Sequence, residues 1–279
     1  MTEAAGPLVS ARDLSIRYPS RYPEDRALPV NGVTFDIPQG EILAVVGETG
    51  SGKSSLAATV AGHADTAEIG APMIHGGSLR VLDYDIRGIS QRKRDKLTLR
   101  VGYLPQDAGA TLSSRLTIGE NVAEPIFSRD RRYDQTEAGQ AVATLIDAVR
   151  LPLSVMNRFP HELSRGQRQR VAIARALILE PVLLIADDPT SGIDVTVRGA
   201  ILDIIGDLQN DRAFSALLVT TDLDEVRRVT DQVMVMHRGV VVGHGQVDAV
   251  LADPRHPYVE GLARSRAIGT VRESTNAAR

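Results

Sequence analysis

The 279-residue chain is 43% hydrophobic and 24% charged, carries a net charge of −3 and contains no cysteine. That length buries a sizeable core and holds one large domain, or a core with a subdomain. The composition excludes disulfides, thiolate zinc sites and cysteine-ligated iron–sulfur clusters, and the charge gives no electrostatic footprint for nucleic acid.

The N-terminal MTEAAGPLVS lacks the basic and apolar regions of a signal peptide, and no apolar run approaches the length of a membrane span. Any membrane role is therefore expected to be peripheral. Leu14, Ile16 and Tyr18 alternate with Ser15 and Arg17, and Val33, Phe35 and Ile37 alternate with Thr34 and Asp36, which predicts an antiparallel opening sheet. Ile42–Gly47, Arg100–Pro105, Val182–Asp187 and Ala216–Thr221 are nearly continuous apolar runs, the pattern of strands covered on both faces. Helical stretches separate them, so the fold class is α/β with a largely parallel sheet. From about Ala108 to Leu179 the pattern turns helical, with Ala141, Leu145, Ile146, Ala148 and Val149 on one face, which reads as an inserted α-helical subdomain. The basic clusters Gln91–Lys96 and Arg129–Arg132 read as solvated helix or loop surface. Met234–Gly245 is expected to form a hairpin turning at Arg238-Gly239, and the polar tail from about Ser265 to be loose. There is no internal repeat.

GETGSGKS, residues Gly47, Glu48, Thr49, Gly50, Ser51, Gly52, Lys53 and Ser54, fits G-x-x-x-x-G-K-[ST] between a strand and a helix that continues with Ser55. Gly50 and Gly52 let successive N–H groups face a phosphate, and the helix N-terminus adds its dipole. Lys53 is then placed for the β/γ-phosphates of a nucleotide and Ser54 for Mg²⁺. Asp187, closing an apolar strand, is the expected acidic partner of that metal. Further along, LSRGQ opens a helix with an apolar stripe at Val171, Ala174, Leu177 and Ile178, and Ser164 with Gln167 fits a capping box.

GETGSGKS, Gln106 in GYLPQ, LSRGQ, LLIADDP and SGID occur in this order, and together they resemble an ABC-type nucleotide-binding domain from Leu8 to about Leu262. The resemblance implies a RecA-like P-loop core with an antiparallel β-subdomain and a helical subdomain at about 108–179. The nucleotide-binding domain is then expected over residues 1–264, followed by a short polar tail, 265–279. It further implies two such domains clasping two ATP molecules head to tail, each site joining one chain's phosphate loop to the other's signature. Ser164, Gly166 and Gln167 would then serve a partner's ATP, with Ser164 and Gly166 bonded to its γ-phosphate. Tyr18 would stack on adenine, Tyr22 being the lesser candidate, although an edge-strand tyrosine explains either. Gln106 would sense Mg²⁺ and the attacking water. Asp194 would cross the dimer interface or simply cap a helix. FPHELSRGQRQRVAIARAL, GATLSSRLTIGENVAEPI and DPRHPYVEGL are similar to segments in ATPases of dipeptide, oligopeptide and nickel importers. Those work at the cytoplasmic face of the membrane, with two transmembrane permease subunits and an extracytoplasmic solute-binding protein. The alternative from another class is an ABC-like subunit of a soluble enzyme complex, such as a phosphonate-cleaving lyase. A DNA-repair ATPase would need a long coiled coil or a basic surface, and the chain has neither.

Two positions depart from the family. Its members usually carry glutamate after the Mg²⁺ aspartate, where this chain has Asp188, and histidine where it has Thr221. Losing one methylene retracts the carboxylate by roughly 1.3 Å, and a misplacement near 1 Å costs about 100-fold in rate. A threonine hydroxyl carries no positive charge toward a γ-phosphate. The expectation is a site that binds Mg-ATP, hydrolyses it poorly, and pairs in a heterodimer with a second ATPase subunit that is intact. Arg165 in place of the usual glycine is the one change in the signature.

Overall fold

The computed structural model describes residues 6–19, 28–66 and 70–265. The expectations for Tyr22 and for most of the tail lie outside them. In chain order the strands are β1 (Val9–Arg17), β2 (Val30–Ile37), β3 (Ile42–Val46), β4 (Met73–Val81), β5 (Tyr84–Asp85), β6 (Val101–Leu104), β7 (Leu183–Asp187), β8 (Ser215–Thr220), β9 (Gln232–His237) and β10 (Val240–Gln246). The helices are α1 (Lys53–Ala58, continued by a π turn at Thr59–His63), α2 (Gln91–Arg100), α3 (Ile118–Arg129), α4 (Gln135–Ala148), α5 (Arg165–Leu177), α6 (Val195–Arg212), α7 (Leu223–Val226) and α8 (Val247–Ala252). Residues 257–265 add a last helical stretch. Among the described residues no helix is long and apolar enough to cross a membrane.

Two sheets form. An antiparallel one has the order β2-β1-β4-β5, and a second has the order β10-β9-β3-β8-β7-β6, parallel throughout except for β10. The apolar runs occupy the parallel sheet because both of its faces are covered. Leu43 and Val45 face β1, β2 and β4, whereas Ala44 and Val46 pack toward α7, α8 and Val259. Ile42, Leu184, Ala186 and Leu218 join α3, α4, α5 and α6 in a third cluster. The helices between β6 and β7 thus share one continuous core with the sheet.

The hairpin turns where the sequence places it: Arg238 has φ 47° and Gly239 φ 85°, the paired positive values of a type I′ turn. Its first strand does more than close the chain, pairing parallel with β3 inside the main sheet. β4 escapes the alternation rule because His75-Gly76-Gly77-Ser78 breaks its apolar pattern; Gly77 lies against the backbone of Arg12 and Asp13. One basic cluster also departs from its expected solvation. Arg94 is buried and donates to Ala64 O at 2.8 Å, tying α2 to the end of the π turn.

Candidate functional site

Register in the parallel sheet gathers the site. Val46 pairs with Thr220 and Asp187 with Val219, so the residues that follow β3, β7 and β8 emerge side by side at the carboxyl ends of the strands, where open α/β sheets bind ligands. One cleft there is lined by Thr49, Gly50, Gly52, Lys53, Ser54, Ser55, Gln106, Asp187, Asp188 and Thr221, together with Pro29 and Val219.

Two loop positions leave no room for a side chain. A Cβ on Gly47 would stand 2.2 Å from Met236 O, and one on Gly52, where φ is 101°, would stand 1.8 Å from Pro29 O. The loop therefore lies close against the end of β9 and against Pro29, just before β2. Lys53 is buried and donates to Gly47 O at 2.7 Å, Glu48 O at 2.7 Å and Ser51 Oγ at 3.3 Å. Burial lowers its pKa, opposed by the charges of Asp187, Asp188 and Glu48.

Ser54 Oγ donates to Asp187 Oδ1 at 3.0 Å. Burial raises the Asp187 carboxyl, with the Ser54 hydrogen bond and Lys53 working against it. Two hard oxygen donors facing a cleft beside an anion-receiving loop suit a hard divalent cation completed by water and phosphate oxygens, so the residues fit Mg²⁺. Among the described residues no cluster of three or more His, Cys, Asp or Glu forms a self-sufficient metal cage.

Asp188 sits at φ 49°, its N–H bonded to Val219 O at 2.9 Å and its carbonyl accepting from Ser191 N at 3.0 Å. Burial raises its carboxyl, and so do Glu225 and Asp187. Gln106 reaches across to Ser191 Oγ at 3.4 Å. Tyr18 is 41% exposed and shares a 2.9 Å hydrogen bond between its hydroxyl and Ser55 Oγ, beside the loop. Asp194 caps α6, accepting from Thr196 N at 3.1 Å.

Ser164, Gly166 and Gln167 do not line this cleft. They begin α5, where the capping box forms: Gln167 N donates to Ser164 Oγ at 3.3 Å and Ser164 N to Gln167 Oε1 at 2.9 Å. Arg165 pairs with Asp107 and lies against Gly192, so it ties the start of α5 to the residue after Gln106 and to the turn after β7.

Sequence reasoning missed Glu225. It is buried, accepts from Thr190 Oγ1 at 2.8 Å and from Thr220 Oγ1 at 2.6 Å, and lies 4.0 Å from Arg198. A carboxylate in the first turn of a short helix reads as an ordinary surface residue. Only the positions of Thr190, in the turn after β7, and Thr220, at the end of the adjacent β8, reveal its place.

A family profile described as "ABC transporter" matches residues 30–191. The chain is 36% identical to the oligopeptide transport ATP-binding protein OppF of Salmonella typhimurium (strain LT2), over 84% of this chain and 67% of that one. It is also 36% identical to the oligopeptide transport ATP-binding protein OppD of Bacillus subtilis (strain 168), over 92% and 71% of the two chains. The di/tripeptide transport ATP-binding protein DppF of Pseudomonas aeruginosa (strain UCBPP-PA14) is likewise 36% identical, over 91% and 77%. In fold, the chain is similar to the dimeric ATP-binding cassette MJ0796 bound to ADP and Pi, with TM-score 0.74 and 23% identity over 85% of this chain and 98% of that one. The chain belongs to the ABC transporter family, as an ABC-type ATPase with a RecA-like P-loop core.

Proposed function

We propose that this chain is an ATP-binding subunit of a peptide- or nickel-type importer, in which its own site clasps Mg-ATP and turns it over slowly. The observation that carries the reading is the meeting of Lys53, Ser54, Gln106, Asp187, Asp188 and Thr221 in one cleft. Residues 1–264 form the nucleotide-binding domain, with the segment 108–179 as its helical subdomain and 265–279 as the tail.

The loop from Gly47 to Ser54 receives the phosphates, with Lys53 moving from the Gly47 and Glu48 carbonyls toward the β/γ-phosphates and Ser55 and Tyr18 at the nucleoside side. Ser54, Asp187 and Gln106 hold Mg²⁺, which when bound neutralises phosphate charge and orients the chain of phosphates for attack. Asp188 faces the water but falls short of it, since its backbone is fixed at both N–H and C=O and does not advance to replace the missing methylene. Thr221 supplies a hydroxyl and no charge. Both departures weaken the same step.

Ser164 is exposed at the start of a thirteen-residue helix, outside its own chain's cleft. That position supports a role for Ser164, Gly166 and Gln167 in a partner's site, and the dimeric state named for the MJ0796 cassette supports pairing. The partner is a second ATPase with glutamate and histidine at the two departed positions. Closure of the pair pushes on two permease subunits at the cytoplasmic face through the surface near Gln106 and the helical subdomain, and an extracytoplasmic binding protein delivers the solute. The names of the relatives support a peptide-like solute.

The test compares ATP turnover by this chain alone and with its partner ATPase. The expected result is tight Mg-ATP binding with slow turnover alone, and a second working site in the pair once Asp188→Glu and Thr221→His are combined. Brisk turnover by the chain alone, abolished by Lys53→Ala, overturns the slow-site reading. Co-purification with a soluble enzyme complex in place of two polytopic membrane proteins overturns the transport reading.

A further inference from the structure

The segment DPRHPYVEGL takes no part in the chemistry above, yet it reaches the phosphate loop. Val259, 1% exposed, anchors the helical stretch 257–265 in the cluster that holds Val46, Val235 and Val247. Pro257 stands at the first position of that stretch, and His256 Nδ1 accepts from Tyr258 N at 3.1 Å, which fixes the entry of the chain. The docking lays Tyr258 on His237, the last residue of β9, with ring centroids 4.8 Å apart and planes inclined by 23°. The ring of His256 lies 5.3 Å from that of His237, tilted by 52°.

The stack meets Glu48 through His237. His237 Nδ1 lies 3.0 Å from Glu48 Oε1 without an aligned hydrogen bond, so that contact acts through packing and, when the imidazole is protonated, through charge. Glu48 in turn presents its carbonyl to Lys53 Nζ at 2.7 Å. The neighbouring loop residue is held from the same hairpin, with Gly239 N donating to Ser51 O at 3.1 Å.

We propose that Tyr258 and His237 are positioning residues of the nucleotide site: Tyr258 backs the His237 ring, the ring clamps Glu48 and with it the loop in its phosphate-receiving shape, and so the C-terminal helix sets affinity for the phosphate chain. The proposal rests on the nucleotide reading of the cleft. The physical cause is preorganisation, because a loop already shaped for its ligand loses less conformational freedom when the ligand arrives.

Calorimetric titration of the whole chain with Mg-ATP, and separately with inorganic triphosphate, tests it at a temperature well below unfolding. Tyr258→Leu removes the ring stack, and we expect about a fivefold loss of affinity for both ligands, the value of one aromatic pair, whereas Tyr258→Phe keeps the stack and should bind both as the parent chain does. His237→Gln removes the ring and should weaken both ligands at least as much as Tyr258→Leu. Unchanged affinity for triphosphate in Tyr258→Leu and His237→Gln overturns the clamp, provided Lys53→Ala abolishes binding. Should Lys53→Ala bind both ligands as tightly as the parent chain, the nucleotide reading itself fails, and that failure is read independently of Tyr258.

Discussion

Ser54 and Asp187 stand 133 positions apart in the chain and share a 3.0 Å hydrogen bond. The bond joins the phosphate loop to the end of β7, and both of its oxygens are hard donors suited to Mg²⁺. Asp187→Asn keeps an acceptor for Ser54 and removes the charge. Titration with ATP in the presence of a chelator should show affinity at or slightly above the parent's, because one repulsive charge is gone. With Mg²⁺ present the same variant should bind at least tenfold more weakly than the parent chain. Equal loss under both conditions would place Asp187 outside the metal's shell.

The pH dependence of that Mg²⁺ effect follows from the burial of Asp187, which raises its carboxyl above the ordinary 3.8. Protons and metal compete for one carboxylate. The Mg²⁺-dependent part of ATP affinity should therefore be complete at neutral pH and fall as the solution is acidified. The fall begins at a higher pH than an ordinary aspartate would give. In Asp187→Asn the residual affinity should change little over that window. A parent profile as flat as the variant's would remove the competition argument.

The loop glycines should rank by what surrounds them. A Cβ at Gly50 meets nothing within 4 Å, so Gly50→Ala carries only the strain of φ 83°, about 1 kcal/mol. At Gly52 the same atom would enter the carbonyl of Pro29, which is backbone and cannot swing aside. Gly50→Ala should retain Mg-ATP binding with a modest loss, and Gly52→Ala should lose it. Chemical denaturation beside calorimetric titration reads both. Equal behaviour of the two variants would mean that the loop is free to lift off residues 28–31.

Much of this was legible in the residues because the relevant signals are local. The runs at Ile42–Val46 and Leu183–Asp187 announce strands covered on both faces, and GETGSGKS carries its own backbone requirement in Gly50 and Gly52. The Arg238-Gly239 turn is of the same kind. Glu225 was not legible, since its meaning comes from Thr190 and Thr220, which arrive from the turn after β7 and the end of β8. Neither was the contact of His237 with Glu48, which needs β9 inside the parallel sheet beside β3, a pairing that no alternation pattern encodes. Arg94 failed as a surface residue for a related reason: its acceptors, Ala64 O and Asp65 O, are exposed by a π turn.

Glu225 joins the turn after β7 to the end of β8 through two buried hydroxyls. Glu225→Ala leaves Thr190 and Thr220 without their acceptor and should cost about 3 kcal/mol, the combined penalty of two unsatisfied buried groups. Glu225→Gln keeps an acceptor oxygen and should lose less than half of that in urea denaturation. Comparable losses in the two variants would assign the effect to charge in place of hydrogen bonding.

Asp188 makes an opposite stability prediction. Its carboxyl is raised first by burial and then by Glu225 and Asp187, so ionising it opposes the fold. For a carboxyl raised in the folded state the penalty is absent below its unfolded value of 3.8, grows as pH rises toward the folded value, and is complete above it. Asp188→Asn abolishes the penalty, and asparagine tolerates the positive φ of 49° as well as aspartate does. Because the group is only half-buried, the gain should be small. The ligand-free variant should melt about 2 °C above the parent at neutral pH, with the difference closing as the pH falls below the aspartate range. A variant that melts lower than the parent at neutral pH would show that Asp188 is held by favourable charge, and the short carboxylate would then have a structural reason of its own.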